Sequence, residues 1–316
     1  MRKILFFLAF SSLLIADSPL FMQTHFVSLE QSLQRRHLEQ LHYPSLGSWR
    51  TWGIVHTRIK QTFIGQKNDF IEIMPQIGVD KEFSMLHSKV FLGMDVNSDI
   101  VTLTHPQGTI TGKSYGLGGY LLWKWDNEIF TSFSIKFAHF FEEYQTQFFN
   151  NALVLFDFGV GKRFFLPNEY FLQPELNFGT GILLDSELSV NRVNEVMKPW
   201  APFSFLGSLG IGKMLGKHQV QTKIKMLYDV GAGGELMVNG ISTLATPKQK
   251  FDMFLGIDYN AEFLEGSTFY VYADFSALNL DIALGVGFKF EFGIKESDLL
   301  KFPSRSLKKL PNTKIK

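Results

Sequence analysis

FLQPELNFGTG, residues 171–181, divides in two when read in alternation. Leu172, Pro174, Leu176 and Phe178 fall on one side, and Gln173, Glu175, Asn177 and Gly179 on the other. A period of two with one apolar and one polar face describes a β-strand between unlike surroundings. Two folds offer such a place. In a soluble sandwich the apolar face covers a core. In a membrane barrel it meets lipid while the polar face lines a wet interior. The fold turns on which of these the apolar face meets.

The same alternation recurs from residue 48 onward. Ile71, Ile73, Ile77 and Val79 alternate with Glu72 and Gln76, and Val90, Leu92, Met94 and Val96 with Gly93 and Asp95. Residues 115–125, 129–137, 152–160, 203–211, 219–228, 252–259, 269–275 and 281–292 repeat it. With a first strand near 49–63 and the opening stretch, about twelve strands are expected.

Three features favour lipid. The expected strands run roughly 9–14 residues, longer than the usual globular strand and near the membrane value. The polar face carries full charges, at Arg58, Lys60, Glu72, Asp157, Glu175, Lys223, Asp258, Asp274 and Glu291, interleaved with Gly and Ser as in a crowded, water-lined lumen. Connections also alternate in length. Those at 126–128, 166–169 and 216–217 are short, and those at about 98–109, 142–150, 185–199 and 231–248 are long. Short turns at one end and long loops at the other describe an outer-membrane barrel. Trp123 and Trp125 lie on the apolar face beside a short turn, where an aromatic girdle belongs. The excess of Phe, 33 residues in all, is then explained as lipid-facing surface. The reading is all-β: a transmembrane antiparallel β-barrel of about 12 strands over residues 48–292, in the bacterial outer membrane.

The chain's ends fit that address. Arg2 and Lys3 precede an apolar run over residues 4–15 and then Ala16, which predicts a signal peptide over residues 1–17. The run is short for a membrane-spanning helix, and the alternative reading is a buried N-terminal helix. Residues 18–47 form a short N-terminal segment. Within it, residues 28–41, SLEQSLQRRHLEQL, are rich in helix formers, with Ser28 and Gln31 placed as a capping box. Leu29, Leu33, Leu38 and Leu41 make no tight stripe, so this is a mostly polar helix suited to a wet place.

Composition excludes several chemistries. The formal net charge is +1, without a nucleic-acid footprint. The absence of cysteine excludes thiolate metal sites, redox pairs and thiol nucleophiles. The 8 histidines show no paired ligand spacing, and His56 and His139 read as lumen or strand-end residues. Gly116, Gly118 and Gly119 lie inside a strand pattern, so they form no phosphate loop. No strand presents Ser, His and a carboxylate together, so neither an enzyme nor a cofactor or metal site is expected. Basic residues cluster on the first strand and Asp258, Asp274 and Glu291 on the last three. Mutual pairing is expected there rather than ion selection.

The ordered set of segments resembles the translocator β-domain of autotransporters, the type V secretion family. SWRTWGIVHTRIK (48–60) is similar to its first strand, and KSYGLGGYLLWKWDNEIFTSFSIKF (113–137) to its fourth and fifth strands with their tight turn. GVGKRFFLPNEYFLQPELNFG (159–179) is similar to its sixth and seventh, and FLGIDYNAEFLEGSTFYVYADFSAL (254–278) with GVGFKFEF (285–292) to its last three. The resemblance implies a 12-stranded barrel whose pore holds an N-terminal helix, here 28–41, with Arg50, His56, Arg58 and Lys60 facing the lumen beside it. It also implies an assembly signal at Gly287, Phe290 and Phe292, read by the outer-membrane barrel-assembly machinery. Two departures shape the expected role. Only about ten residues separate signal and helix, which leaves no passenger to export. Beyond the last aromatic, a basic tail over residues 293–316 is expected to be disordered in the periplasm. The expectation is a monomeric, passenger-less member with a structural or surface-interaction role. The alternatives are a small-solute, porin-like pore and a loop-mediated adhesin with unknown loop ligands.

Overall fold

A computed structural model describes residues 49–293 except 65, 106–107, 145–146, 191–192, 200, 231–234, 245–248, 265, 277 and 279. The expected signal peptide, the helix over 28–41 and the basic tail beyond Gly293 lie outside the described residues.

The strands are β1 (Trp49–Ile64), β2 (Gln66–Met85), β3 (Ser88–His105), β4 (Gly108–Trp125), β5 (Ile129–Tyr144), β6 (Gln147–Lys162), β7 (Phe164–Phe165), β8 (Tyr170–Leu183), β9 (Ser186–Val190), β10 (Val193–Met197), β11 (Phe203–Leu215), β12 (His218–Val230), β13 (Glu235–Val238), β14 (Ile241–Leu244), β15 (Gln249–Leu264), β16 (Ser267–Ser276) and β17 (Asp281–Phe292). Twelve of them close into one antiparallel barrel in the order β1-β2-β3-β4-β5-β6-β8-β11-β12-β15-β16-β17. The seam pairs β17 with β1, from Trp49 opposite Phe292 to Lys60 opposite Asp281. Closure satisfies the backbone of the wall internally, which a bilayer demands.

The two faces are inverted relative to a soluble protein. On β2, Ile71, Ile73 and Ile77 are exposed on the outside, while Glu72 and Gln76 are buried within. On β8 the opening stretch divides as its alternation requires: Gln173, Glu175 and Asn177 point in, and Leu176 and Phe178 point out. The apolar face of FLQPELNFGTG therefore meets lipid. Trp123 and Trp125 stack at 4.8 Å beside the 126–128 turn.

Inside, large rings lie flat across neighbouring strands because glycine leaves them room. A Cβ on Gly78 would sit 2.2 Å from the Trp52 ring, and one on Gly93 would sit 2.3 Å from Tyr120. Gly285 and Gly287 stand in the same way beneath Tyr272 and Tyr270. This is the pairing by which aromatics cover strand glycines. Those four rings pack with Ile54, Phe91, Leu122 and Ala283 into one buried cluster on the lumen side.

β1 begins and β17 ends at the same mouth, called here the termini mouth. Its hairpins are tight. In the 126–128 turn the Ile129 amide donates to Asn127 Oδ1 at 3.2 Å, and Gly216 at φ +63° turns β11 into β12. The opposite, far mouth departs from expectation. Residues 98–109 and 142–150 are not long loops, because β3, β4, β5 and β6 continue through them to 105, from 108, to 144 and from 147. The reason lies in the side chains. Here Val101 and Leu103 turn inward while Thr102 and Thr104 turn outward, so the apolar alternation changes face although the strand does not end. The connections at 185–199 and 231–248 are long, and their described residues carry further strands. They form hairpins β9–β10 and β13–β14, which join through β10 and β13 into a second sheet of order β14-β13-β10-β9. Asn239 (φ +48°) and Gly240 (φ +79°) supply the positive-φ pair that a two-residue hairpin needs.

Candidate functional site: the charged inner wall

The even positions of β1 point into the barrel: Arg50, Trp52, Ile54, His56, Arg58 and Lys60 are all buried. Register then decides their partners. Arg50 lies opposite Asp80 of β2, and its Nε donates to Asp80 Oδ1 at 2.5 Å. The other Asp80 oxygen accepts from Tyr120 Oη at 2.7 Å, and Tyr120 accepts from Trp52 Nε1 at 2.8 Å. The Arg50 guanidinium stacks over Phe91 at 3.9 Å. One carboxylate thus ties together β1, β2 and β4, with Phe91 of β3 beneath. Lys289 and Glu291 pair at 3.0 Å on β17.

Further along, Arg58 grips Asp281 of β17 with two bonds, at 2.8 Å and 2.5 Å. A planar fork on a carboxylate is the strongest of these geometries. His56 Nδ1 is hydrogen-bonded to the Tyr272 hydroxyl. On the far side of the lumen, Lys223 of β12 meets Asp258 at 3.2 Å and approaches Glu175 at 3.9 Å. Lys225 meets Asp274 at 3.3 Å. Arg163 donates to Gln173 at 2.7 Å, and Gln173 donates to Glu175. Asp157 and Glu72 also lie on the buried face.

All eleven residues expected at the lumen thus lie on the buried side of the wall. Register sets the neighbours: β15 and β16 are not adjacent to β1, whereas Glu291 of β17 stands opposite Arg50. Arg50 and Arg58 pair with Asp80 and Asp281, while Asp258 and Asp274 meet the lysines of β12. Sequence reading passed over Asp80, Tyr120, Lys225 and Asp281. Each stood on the polar side of an alternating run, but only register names a partner. His139 lies on the outer face, 4.5 Å from Phe141. Gly287 sits under Tyr270, while Phe290 and Phe292 point outward at the end of β17.

Among the described residues no group of three or more His, Asp or Glu side chains is placed to hold a metal ion. The wall is a ladder of buried ion pairs and hydrogen bonds between neighbouring strands, able to fix register and to hold a polar occupant.

No protein-family model matches the sequence, and no curated protein matches it. Solved structures do match in shape. The translocator domain of the autotransporter NalP from Neisseria meningitidis aligns with TM-score 0.66 at 9% identity, covering 86% of this chain and 97% of that one. The β-domain of the Bordetella autotransporter BrkA aligns with TM-score 0.64 at 16% identity, covering 78% and 100%. An outer membrane channel from Pseudomonas putida F1 aligns with TM-score 0.54 at 10% identity, covering 79% and 98%. A closed barrel with a lipid-compatible exterior is a membrane-spanning structure. The chain therefore has the fold of autotransporter translocator β-domains and is a barrel of the bacterial outer membrane.

Proposed function

We propose that this barrel serves a structural or surface-interaction role, with the polar helix of residues 28–41 standing in its lumen. The observation that carries the reading is the buried, ion-paired inner wall. Twelve strands enclose more room than their own side chains fill, and yet Arg50, Asp80, Lys223 and Asp258 are all nearly fully buried. A polar helix supplies the occupant such a wall accepts. Short turns mark the periplasmic side of outer-membrane barrels and longer connections the outside. The β9–β10 and β13–β14 sheet is then the part presented to the environment. The barrel acts as a monomer, and Gly287, Phe290 and Phe292 serve as the signal read by the assembly machinery.

The test is conductance in a planar bilayer, before and after deletion of residues 18–43. The intact protein is expected to be nearly silent and the deletion variant to conduct. A large conductance from the intact protein overturns the reading, and equal conductance from both removes the helix from the lumen. The first result favours a small-solute pore, the second reading, which the fold shared with the Pseudomonas putida outer membrane channel supports.

A further inference from the structure

The lysines of the wall are held in two ways. Inside, Lys223, Lys225 and Lys289 each meet a carboxylate. On the outer face near the termini mouth, Lys81, Lys162 and Lys213 meet none among the described residues, and each ammonium lies against an aromatic ring instead. Lys81 stands apart on β2, over Trp49 at 5.5 Å and Phe83 at 5.2 Å. Lys162 and Lys213 share one arc. Lys162 ends β6, with Nζ 4.9 Å from the centre of the Phe164 ring. Two strands on, Lys213 of β11 stands opposite Tyr170 of β8, with Nζ 4.8 Å from its ring. Between them the β6-to-β8 connection turns apolar side chains outward. Phe164, Phe165 and Leu166 are 43%, 60% and 47% exposed, whereas Arg163 folds inward against Phe171 and Gln173. The Leu166 amide donates to the Tyr170 carbonyl at 2.8 Å and closes the turn. Glu169, the carboxylate of this connection, is exposed and pairs with neither lysine. Glu128 of the neighbouring turn is held by Lys124 at 2.9 Å.

We propose that this arc binds one anionic phospholipid of the leaflet at the termini mouth, with the phosphate held by Lys162 and Lys213. Charge selects the headgroup. Two ammonium groups without carboxylates stand where the apolar exterior gives way to the turns, and their stems lie along rings while their heads reach the interface. The wall below them matches the rest of a lipid. From Lys213 toward the middle of the barrel the outer face continues as Ile211 and Leu209 on β11, beside Leu176 and Phe178 on β8, all exposed. That is a track for acyl chains. Phe164, Phe165 and Leu166 lie at the level where rings and apolar side chains settle among headgroups. A free phosphate would meet the lysines but leave the track unused, so the ligand is a lipid. Lys81 offers rings without a second lysine on the neighbouring strands β1 and β3 at its level. The site lies outside the barrel and does not depend on what stands in the lumen.

The test titrates the full-length protein in detergent with phosphatidylglycerol or with zwitterionic phosphatidylcholine and counts bound lipid by native mass spectrometry. A closed barrel keeps its hydrogen bonds in SDS until heated, so a heat-dependent gel shift verifies the fold of each variant, and methionine replaces glutamine in any variant that lacks the shift. The wild type is expected to hold one phosphatidylglycerol far more tightly than phosphatidylcholine. Lys162→Gln and Lys213→Gln should each weaken that binding about fivefold, and the double variant about 25-fold, the order expected of cations at an anionic lipid surface. Lys162→Arg with Lys213→Arg should retain it. Lys81→Gln, and Lys113→Gln on the outer face of β4, should leave it unchanged. Equal binding of the two lipids by the wild type overturns the site. So does a loss from Lys81→Gln as large as that from Lys162→Gln, which makes the effect one of general surface charge. Displacement of the lipid by inorganic phosphate at matched concentration overturns the lipid in favour of a free phosphate.

Discussion

Along β2, two faces of one strand follow different rules. Outward Ile71, Ile73 and Ile77 meet a fluid that asks only for apolar surface. Inward Phe70, Gln76, Gly78 and Asp80 each meet a particular neighbour: Leu103 across the ladder, Asp95 through a 2.7 Å hydrogen bond, the Trp52 ring, and Arg50 with Tyr120. The outer face is a composition and the inner face a set of pairings. The contrast predicts that inner substitutions act through named partners, whereas outer ones act through polarity and depth alone.

The largest effect is expected at Asp80. Asp80→Ala leaves the buried Arg50 guanidinium without its carboxylate and Tyr120 without its acceptor. Breaking a buried pair from one side costs about 3–5 kcal/mol. The temperature at which the unboiled band converts should fall sharply. Replacing both partners, Arg50→Met with Asp80→Ala, should recover much of the loss in a double-mutant cycle. Equal losses in the single and double variants would show that the pair does not act as a unit. On the outer face, Ile77→Arg near the middle of β2 should cost about 2–4 kcal/mol, the depth-dependent price of a cation facing lipid, while Ile77→Leu should leave the conversion temperature unchanged. A sensitive response to leucine would mean that this face is packed against protein, not lipid.

The glycines beneath rings come next. Gly93→Ala places a methyl 2.3 Å from the Tyr120 ring and 2.7 Å from the Asp80 side chain. Overpacking of this kind costs about 1–3 kcal/mol, and a paired Tyr120→Leu should relieve part of it. Gly119, on the outer face, would gain only ordinary contacts, none nearer than 3.9 Å. Gly119→Ala should therefore be close to silent. If both glycines respond alike in thermal conversion, strand flexibility rather than ring room is the cause.

What could be read from sequence follows the same division. Alternation assigned a face to almost every residue, so strand number, closure and lipid exposure were legible from stretches such as 171–181. Partner choice was not, because it depends on register. Nothing local in SWRTW says that Arg50 stands opposite Asp80. Strand ends at the far mouth were missed where Val101 and Leu103 turn inward and the outer face becomes Thr102 and Thr104. An apolar run counted on one face stops there, while β-branched residues carry the strand onward. The outer sheet left one readable mark, Asn239-Gly240, a hairpin signal that stood in a stretch dominated by glycines 231, 233 and 234.

The smallest effect is expected where neither rule applies, in the outer sheet. Lys198 and Glu235 join β10 to β13 through an ion pair of 3.0 Å, but both side chains are more than 40% exposed. Such a pair contributes about 0–1 kcal/mol and is screened by salt. The backbone does more. The Lys198 amide donates to the Glu235 carbonyl at 3.0 Å, and the Asn239 amide donates to the Asn194 carbonyl at 2.7 Å. Lys198→Ala should therefore leave the barrel's conversion temperature unchanged, and it should only slightly raise cleavage within β9–β14 by protease added to intact cells. Val196→Pro is the sharper variant. It removes an amide from the strand between β9 and β13 and should open the sheet to protease while the heat-dependent shift of the barrel persists. If Val196→Pro also abolished that shift, the outer sheet would be part of what holds the barrel closed, and the division between a fixed wall and a separable outer surface would fail.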